Sequence, residues 1–311
     1  MAVESLRGAY GQTLLKLGRE NPDLVVLDAD LAKSTQTQFF AKEFAGRFID
    51  MGLAEQDMIS TAAGIALTGK TVFASSFCAF LVGRVFDQIR QSICYNQANV
   101  KLVGTHAGLG VGEDGATHQA LEDVALARAL PGLNVIVPAD AVETAQAVEY
   151  AAATPGPFFI RLTRNNLRTL FGPEHRFELG KAPLLRDGGD IALVAMGAMV
   201  EKALQAAEIL AAEKVSATVV DFSCIQPLDG EMLLRCAEKT GRILTVEDHS
   251  VHGGLGGACA EFLSQRHPVR MKIMGMEETF GRSGKPDDLY AYYKLTAADI
   301  AGAGKELLSR P

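Results

Sequence analysis

The sequence from Gly104 to Gln119 reads G-T-H-A-G-L-G-V-G-E-D-G-A-T-H-Q, and it joins two apolar segments. It contains five glycines, two histidines and an adjacent pair of acids. The β-branched run 100–103 before it predicts a strand, and the apolar spacing of 120–130 after it predicts a helix. In open parallel sheets, ligands bind outside the carboxyl ends of the strands. This strand-to-helix loop is therefore predicted to be part of a site.

Three titratable side chains stand among the glycines of this loop. Glycine lets the backbone approach a ligand closely and adopt positive φ. His106 and His118 supply groups that titrate near neutral pH, and Asp114 supplies a fixed negative charge. An ordinary surface loop is the alternative for any single histidine, but two histidines on either side of an acid favour a site.

The loop also contains a dinucleotide-type pattern, Gly110-x-Gly112-x-x-Gly115. That fingerprint belongs in a tight first strand-to-helix turn, with the pyrophosphate at the helix N-terminus. Here Glu113 and Asp114 would repel a diphosphate, so a dinucleotide site is disfavoured. A second glycine-rich stretch, at 253–258, is expected to allow close helix packing after a strand.

Composition limits the class of protein. The chain has 311 residues, of which 48% are hydrophobic and 22% charged, with a formal net charge of −7. These values predict a globular protein long enough for two domains and exclude wholesale disorder. A net acidic chain is not expected to bind nucleic acid or an anionic membrane over a general surface. Residues 1–10 contain no apolar signal segment and no run is long enough to cross a bilayer, so a cytoplasmic location is expected.

Cysteine spacing indicates neither a disulfide framework nor a zinc site, because no C-x-x-C pair is present. The cysteines are expected to be small buried hydrophobic residues. They are Cys78, Cys94, Cys224, Cys236 and Cys259.

Strand and helix patterns alternate along the chain, which predicts an α/β protein with two domains, each a mainly parallel sheet flanked by helices. One of these helices is expected to follow 75–80 and to run to about Tyr95. The periodicity fails from about 165 to 190, where glycine and proline accumulate. We therefore expect domains at 1–170 and 190–311, joined by a linker at 171–189. In the second domain, polar residues concentrate only at Glu247-Asp248-His249 and His252, where scaffolding or a dimer contact is expected.

Polar and aromatic residues follow the successive strands of the first domain, so they are expected to converge at one edge of its sheet. These residues are Asp30, Ser34, Glu55, Phe77, Phe80, His106, Asp114, His118, Arg161 and Arg164. Phenylalanines at helical spacing are more often core residues, and the two arginines could be solvated surface charges. However, Arg7, His106, His118 and Arg164 at a glycine-rich edge of an acidic chain favour an anionic ligand such as a phosphate.

Several segments resemble thiamine-diphosphate enzymes of the transketolase family. They are G-L-A-E-Q (52–56), S-F-C-A-F (76–80), T-H-A-G-L-G-V-G-E-D-G-A-T-H-Q (105–119), V-I-V-P-A-D (135–140) and G-G-L-G (253–256). The resemblance covers nearly the whole chain and implies the pyrimidine-binding and C-terminal domains of a transketolase. The family's diphosphate-binding domain carries a G-D-G motif and a later asparagine that hold Mg²⁺ and the cofactor diphosphate, and no G-D-G occurs here.

The resemblance therefore implies the C-terminal subunit of a split transketolase, which transfers a two-carbon ketol unit from a ketose or ketose phosphate to an aldose or aldose phosphate. Its cofactors would be thiamine diphosphate and Mg²⁺, with the metal ligands on an N-terminal partner subunit, in an α2β2 heterotetramer.

The resemblance also assigns roles on the cofactor side. Glu55 matches the glutamate that hydrogen-bonds the cofactor's aminopyrimidine ring, and Phe77 and Phe80 match aromatics around that ring. Asp30 matches an acid near the cofactor. Gly83 stands where many relatives carry a third aromatic, so the chain departs from the family there.

On the substrate side, His106 and His118 match histidines that bind donor hydroxyls and assist proton transfer. Asp114 matches an acid that contacts a substrate hydroxyl. Ser34, Arg7 and Arg164 match the residues that bind substrate phosphate.

Three alternatives remain open at this point. A β-subunit of a 2-oxoacid dehydrogenase shares the two-domain layout and also lacks G-D-G, although A-T-H-Q-A at 116–120 with His106 upstream fits transketolase better. A deoxyxylulose-phosphate synthase-like enzyme resembles the chain less around 77–86. A non-catalytic scaffold subunit is the third, and Glu55 with both histidines argues against it.

Overall fold

The computed structural model describes residues 2–309. The helices are α1 Leu6–Glu20, α2 Ala32–Thr35, α3 Gln38–Glu43, α4 Glu55–Ala66, α5 Phe86–Gln88, α6 Asp123–Arg128, α7 Ala141–Ala153, α8 Met199–Ala212, α9 Gly230–Thr240, α10 Leu255–Arg266, α11 Pro286–Tyr292 and α12 Ala297–Ser309. The strands are β1 Val3–Ser5, β2 Leu24–Asp28, β3 Phe48–Asp50, β4 Thr71–Phe77, β5 Val100–Thr105, β6 Asn134–Ile136, β7 Phe158–Arg161, β8 Asn166–Arg168, β9 Leu184–Arg186, β10 Ile191–Ala195, β11 Ala217–Asp221, β12 Cys224–Gln226, β13 Arg242–Ser250 and β14 Arg270–Met276.

Four further segments among the described residues form other types of helix. Two are 3-10 turns, at Ala45–Arg47 and Leu109–Asp114, and two are π-helical, at Ala79–Gly83 and Ile89–Cys94. The π segments lie where the sequence predicts one regular helix up to about residue 95. π-helical turns occur mostly as local bulges and often at functional sites.

A seven-stranded sheet organises the first part of the chain, in the order β12-β6-β7-β5-β4-β2-β3. Every neighbouring pair is parallel except β12 with β6. The central strands β4, β5 and β7 are buried along their whole length, because helices cover both faces of a parallel sheet.

A second sheet has five strands, in the order β14-β13-β10-β11-β9, with only β9 antiparallel to its neighbour. Two mainly parallel sheets flanked by helices confirm the predicted α/β class. Two connections were not expected from the sequence. The strand β9 lies within the stretch predicted as a linker, and β12, from the second half of the chain, joins the first sheet.

The start of the linker is fixed to α7 by the residue that caps this helix. The Asp140 side chain accepts a hydrogen bond from the Glu143 N–H at 2.8 Å, which satisfies an N-terminal donor of the helix. Its second oxygen accepts from the N–H groups of Leu170 and Phe171, at 2.7 and 2.8 Å. One buried carboxylate therefore orders the chain as it leaves the first sheet.

All five cysteines are free and buried, as predicted. Within residues 2–309, no helix is both long and apolar enough to span a bilayer.

Candidate functional site

The carboxyl ends of the parallel strands place the predicted residues along one edge of the seven-stranded sheet. Asp28 pairs with Ser75 at the ends of β2 and β4, Ser76 pairs with Gly104 on β5, and Gly104 pairs with Arg161 at the end of β7. The loops that follow these strands therefore meet at this edge. We call the following group the site edge: Glu55, Phe77, Phe80, His106, His118 and Arg164.

Two phenylalanines and two histidines form an aromatic cluster within the site edge. The rings of Phe77 and Phe80 are 5.9 Å apart and nearly parallel, at 19°. His106 stacks on Phe77 with centroids 3.7 Å apart, and His118 meets the edge of Phe80 at 5.2 Å. The structure thus brings the 76–80 and 105–119 segments into direct contact, although they are distant in sequence.

His106 is held in an unusual backbone conformation, with φ of 58°. Such values are uncommon for residues other than glycine and often mark functional positions. Its ring is 4% exposed, and its Nδ1 lies 2.9 Å from the Thr105 hydroxyl. Burial, together with the charges of Arg7 and Arg164 and the neighbouring His118, lowers the pKa of His106 to about 3. His106 is therefore a neutral imidazole near neutral pH.

Glu55 is the first residue of α4 and is 4% exposed. Its Oε2 accepts a hydrogen bond from Nη1 of Arg84 at 2.8 Å. The Arg84 guanidinium also lies over the Phe80 ring, 4.4 Å from its centroid. A buried carboxylate, a stacked cation and an aromatic ring therefore stand side by side. Sequence reasoning did not identify Arg84, although a lone cation in the apolar run 77–89 could have suggested it.

Two arginines predicted to bind phosphate are joined at this edge. Arg7 donates to the backbone oxygens of Ser34 at 2.8 Å and Arg164 at 3.2 Å. Burial and the nearby Arg164 charge lower the pKa of Arg7. Arg164 donates to the Val111 carbonyl at 2.5 Å, and its Nη1 is 3.3 Å from Glu113 Oε2. The pair concentrates positive charge beside the loop, with Glu113 as a partial counter-ion.

Two of the three predicted acids of the site, Asp30 and Asp114, are exposed, unlike Glu55. Asp30 has φ of 61°, and its backbone N–H donates to Asp50 at 3.0 Å. Asp114 ends the 3-10 turn in the glycine-rich loop. Neither side chain belongs to the aromatic cluster, so the structure places both on the edge loops without joining them to it.

Asp28, two residues before Asp30, is a supporting residue that sequence reasoning did not separate from its neighbour. It is fully buried and accepts hydrogen bonds from the hydroxyls of Thr35 and Thr37, at 2.7 and 2.9 Å, and from the Leu31 N–H at 2.6 Å. These bonds fix the turn that carries Ser34. Its position as the last residue of an apolar strand was the available signal.

The expectation that Arg161 stands at the ligand edge or on the surface is wrong. Arg161 is 5% exposed, and its Nε donates to Asp123 at 2.7 Å. Its Nη2 donates to the backbone oxygens of Ala120 and Asp248, at 3.1 and 2.9 Å. Its position inside the apolar run F-F-I-R-L explains its burial. Arg161 therefore ties the end of the glycine-rich loop to the second domain.

Asp248 completes this contact between the two parts of the chain. Its Oδ1 accepts from the Leu109 N–H and its Oδ2 accepts from the Tyr290 hydroxyl, both at 2.9 Å. At Gly108, whose φ is +66°, an added Cβ would lie 2.2 Å from Asp248 Oδ2, so only glycine fits. We call Asp123, Arg161, Asp248 and Tyr290 the clasp. The E-D-H segment predicted as a scaffold or dimer contact thus supports the glycine-rich loop of its own chain.

The donor set of the site edge suits a planar heteroaromatic ring with nitrogen functions. Phe77 and Phe80 offer apolar ring surface, and Glu55 offers a carboxylate that accepts hydrogen bonds. Among the described residues, no group of three or more His, Cys, Asp or Glu side chains is placed to hold a metal ion.

Comparison with known proteins gives two family matches. The transketolase pyrimidine binding domain matches residues 4–169, and the transketolase C-terminal domain matches residues 180–300. A putative transketolase C-terminal section from Methanocaldococcus jannaschii is 45% identical over 302 residues, which cover 96% of this chain and 94% of that protein. A 6-deoxy-6-sulfo-D-fructose transketolase subunit from Clostridium sp. (strain MSTE9) is 41% identical over 305 residues, covering 98% of this chain and 95% of that protein.

Among solved structures, a split gene transketolase described as an inactive beta4 tetramer superposes with a TM-score of 0.90. It is 46% identical in sequence, and the match covers 99% of each chain.

Proposed function

The chain belongs to the transketolase family, and from this we propose that it acts as the C-terminal subunit of a split transketolase. It transfers a two-carbon ketol unit from a ketose or ketose phosphate to an aldose or aldose phosphate, together with an N-terminal subunit. Family membership implies dependence on thiamine diphosphate. We assign the pyrimidine-binding domain to 1–170 and the C-terminal domain to 190–311, joined by a linker at 171–189. The two matched ranges support a division into two domains, with the second match starting at residue 180.

The observation that carries the proposal is the buried Glu55 carboxylate beside Phe77 and Phe80. Thiamine diphosphate supplies the electron sink for breaking a carbon–carbon bond next to a carbonyl. Glu55 would hydrogen-bond the aminopyrimidine ring, and the two phenylalanines would pack around that ring. Because Glu55 is 4% exposed, its interactions with the cofactor are little weakened by solvent. Asp30, on the neighbouring loop, is assigned to the cofactor as well.

The substrate is assigned to the histidines and to the paired arginines. His106 is neutral near neutral pH, so it would orient donor hydroxyls by hydrogen bonds. His118, at the rim of the aromatic cluster, would bind a hydroxyl and move its proton. Asp114 would contact a further hydroxyl from the exposed end of its 3-10 turn.

Arg7, Arg164 and Ser34 would bind the substrate phosphate. Arg7 is bonded to the Arg164 backbone oxygen, and the charges of both arginines lower the pKa of His106, so the two cations lie on the same side of the site. Phosphate would compete with Glu113 for Arg164, which is 38% exposed and therefore free to reorient.

The rest of the site is assigned to a partner. We propose that an N-terminal subunit with the G-D-G motif holds Mg²⁺ and the cofactor diphosphate, and that two copies of each chain form an α2β2 heterotetramer. The absence of G-D-G from this sequence supports this division. So does the solved split gene transketolase, whose assembly is described as an inactive beta4 tetramer.

The alternatives gain no support from the comparisons. The matched domains and the relatives named above are transketolases, rather than 2-oxoacid dehydrogenase or deoxyxylulose-phosphate synthase subunits. If the chain were a non-catalytic scaffold, turnover by the complex would not need Glu55. A catalytic subunit would need it.

The test is Glu55→Gln in the complex reconstituted with the N-terminal subunit. We expect at least about a hundredfold loss of two-carbon transfer, since an amide cannot replace the carboxylate at the pyrimidine ring. The matched control is Asp57→Asn, the same change of acid to amide at an exposed position two residues along α4. Melting temperatures of both variants report folding. Substantial residual turnover in Glu55→Gln would reject the assignment of Glu55.

A further inference from the structure

Arg84 interacts with two groups that the proposed function assigns to the cofactor's pyrimidine ring. It donates to the Glu55 carboxylate at 2.8 Å and lies over the Phe80 ring at 4.4 Å. It follows directly on the π-helical segment Ala79–Gly83. Phe80 is part of this segment, so Phe80 and Arg84 stand one turn apart on the same stretch of chain.

A guanidinium and an aminopyrimidine have the same features for this pair of contacts. Both are planar and delocalised, both stack on aromatic faces, and both present nitrogen groups that hydrogen-bond a carboxylate in their own plane. A ring bound to Glu55 and packed on Phe80 would occupy the space that the guanidinium fills. The two occupants therefore exclude each other.

We call the position against Glu55 and Phe80 the pyrimidine seat. We propose that the Arg84 guanidinium occupies this seat in the isolated chain, as an internal substitute for the aminopyrimidine ring, and leaves it when the cofactor binds. This inference rests on the proposed function, because it takes Glu55 and Phe80 to be cofactor contacts. It adds a competition within the chain that sets how strongly the cofactor is bound.

The different burial of Glu55 and Arg84 shows why the Glu55 carboxylate needs a partner when the cofactor is absent. The Glu55 side chain is 4% exposed, and a buried carboxylate without a partner is costly. The Arg84 side chain is 49% exposed, so its guanidinium can move into water at little cost. Cofactor binding thus exchanges one partner of Glu55 for another.

The same segment offers a matched control. Arg90 lies six residues after Arg84 and is also exposed, but it belongs to the second π-helical segment, Ile89–Cys94. A substitution there removes the same charge from the same stretch of chain without emptying the pyrimidine seat.

The test is calorimetric titration of the reconstituted complex with thiamine diphosphate and Mg²⁺, comparing Arg84→Ala, Arg84→Lys and Arg90→Ala with the parent chain. We expect Arg84→Ala to lower the dissociation constant roughly three- to tenfold, since an ion pair and a cation–π contact no longer compete. Lysine keeps the positive charge but lacks the planar guanidinium, so the dissociation constant of Arg84→Lys should lie between those of the parent chain and Arg84→Ala. Arg90→Ala should bind like the parent. Weaker binding by Arg84→Ala would overturn the proposal, because Arg84 would then assist the bound cofactor.

A second titration uses the chain alone with free thiamine, followed by shifts of the ligand's NMR signals. Thiamine lacks the diphosphate, so this measurement does not depend on the partner subunit. We expect Arg84→Ala to bind thiamine more tightly than the parent chain, and equal or weaker binding would overturn the proposal. Failure of the complex to assemble or to turn over would instead count against the split-subunit function and leave this result standing.

Discussion

The site edge and the clasp contain the same kinds of side chain, and both lie near the carboxyl ends of strands. In the clasp, Asp123 and Arg161 are 1% and 5% exposed and bonded to each other. At the site edge, Arg164 is 38% exposed and is bonded to a backbone carbonyl, with the exposed Glu113 nearby. The clasp residues bond to one another and to buried backbone groups of the chain, whereas Glu55 and Arg164 at the site edge have side-chain partners that are exposed to solvent.

Arg161 and Arg164 show this difference at two positions three residues apart, since Arg161 is the last residue of β7 and Arg164 lies in the loop after it. Residue type alone does not distinguish them. The strand alternates and then ends, so Arg161 points into the junction between the two parts of the chain and Arg164 reaches the edge. The burial of its partner therefore distinguishes an arginine that supports the structure, such as Arg161, from one that is a candidate to bind substrate, such as Arg164.

The largest expected effect separates the two arginines by stability. Arg161→Met should lower the free energy of unfolding by about 3–5 kcal/mol, because it leaves Asp123 as a buried carboxylate without its cation. Arg164→Met should change that free energy by less than about 1 kcal/mol, as for a partly exposed ion pair. Urea unfolding measures both.

The same two variants should show the opposite pattern in binding. Arg164→Met is expected to raise KM for phosphorylated sugars about tenfold, since it removes a charge-assisted hydrogen bond to phosphate, with little change for non-phosphorylated sugars. Similar losses of stability in the two variants would remove the distinction between clasp and site edge. An equal rise in KM for both substrate classes would reject the phosphate role of Arg164.

A smaller effect concerns His106, which belongs to the site edge but is buried like a clasp residue. Its folded-state pKa is about 3, below the ordinary value of 6.5, so the unfolded chain takes up a proton first as pH falls. Stability should therefore be complete above pH 6.5 and decline as pH falls from 6.5 toward 3. At pH 5 the loss attributable to this group is about 2 kcal/mol.

His106→Asn should accordingly reduce the loss of unfolding free energy between pH 7 and pH 5 by about 2 kcal/mol. The control is His252→Asn, whose side chain is 70% exposed, and which should keep the parent's pH dependence. If His106→Asn also keeps that dependence, burial does not hold this imidazole neutral.

Much of the fold could be predicted from the sequence because the spacing of apolar residues reflects which residues are buried. The apolar runs of β4, β5 and β7 predicted parallel strands, and the glycine-rich loop predicted the sheet edge at which these strands end. Short pairings could not be predicted in this way. The strands β9 and β12 have three residues each, and their partners lie far away in sequence, so no local pattern marks them.

The site was predictable in its residue types but not in its internal contacts. Glu55, His106 and Arg164 follow strands and Phe77 ends one, and the resemblance to a known family assigned each a role. The pairing of Arg84 with Glu55 depends on the π-helical turn between Phe80 and Arg84, and the sequence was expected to form a regular helix there. The buried partners of Arg161 depend on how two sheets pack, which periodicity within one segment does not describe.

The most direct test of the division of the site between two chains is a two-carbon transfer assay with thiamine diphosphate and Mg²⁺, run with and without the N-terminal subunit that carries G-D-G. We predict no transfer and poor cofactor binding by this chain alone, and both activity and tight binding once the partner is added. Tight cofactor binding or turnover by the chain alone, or no transfer by the complete pair, would contradict that division.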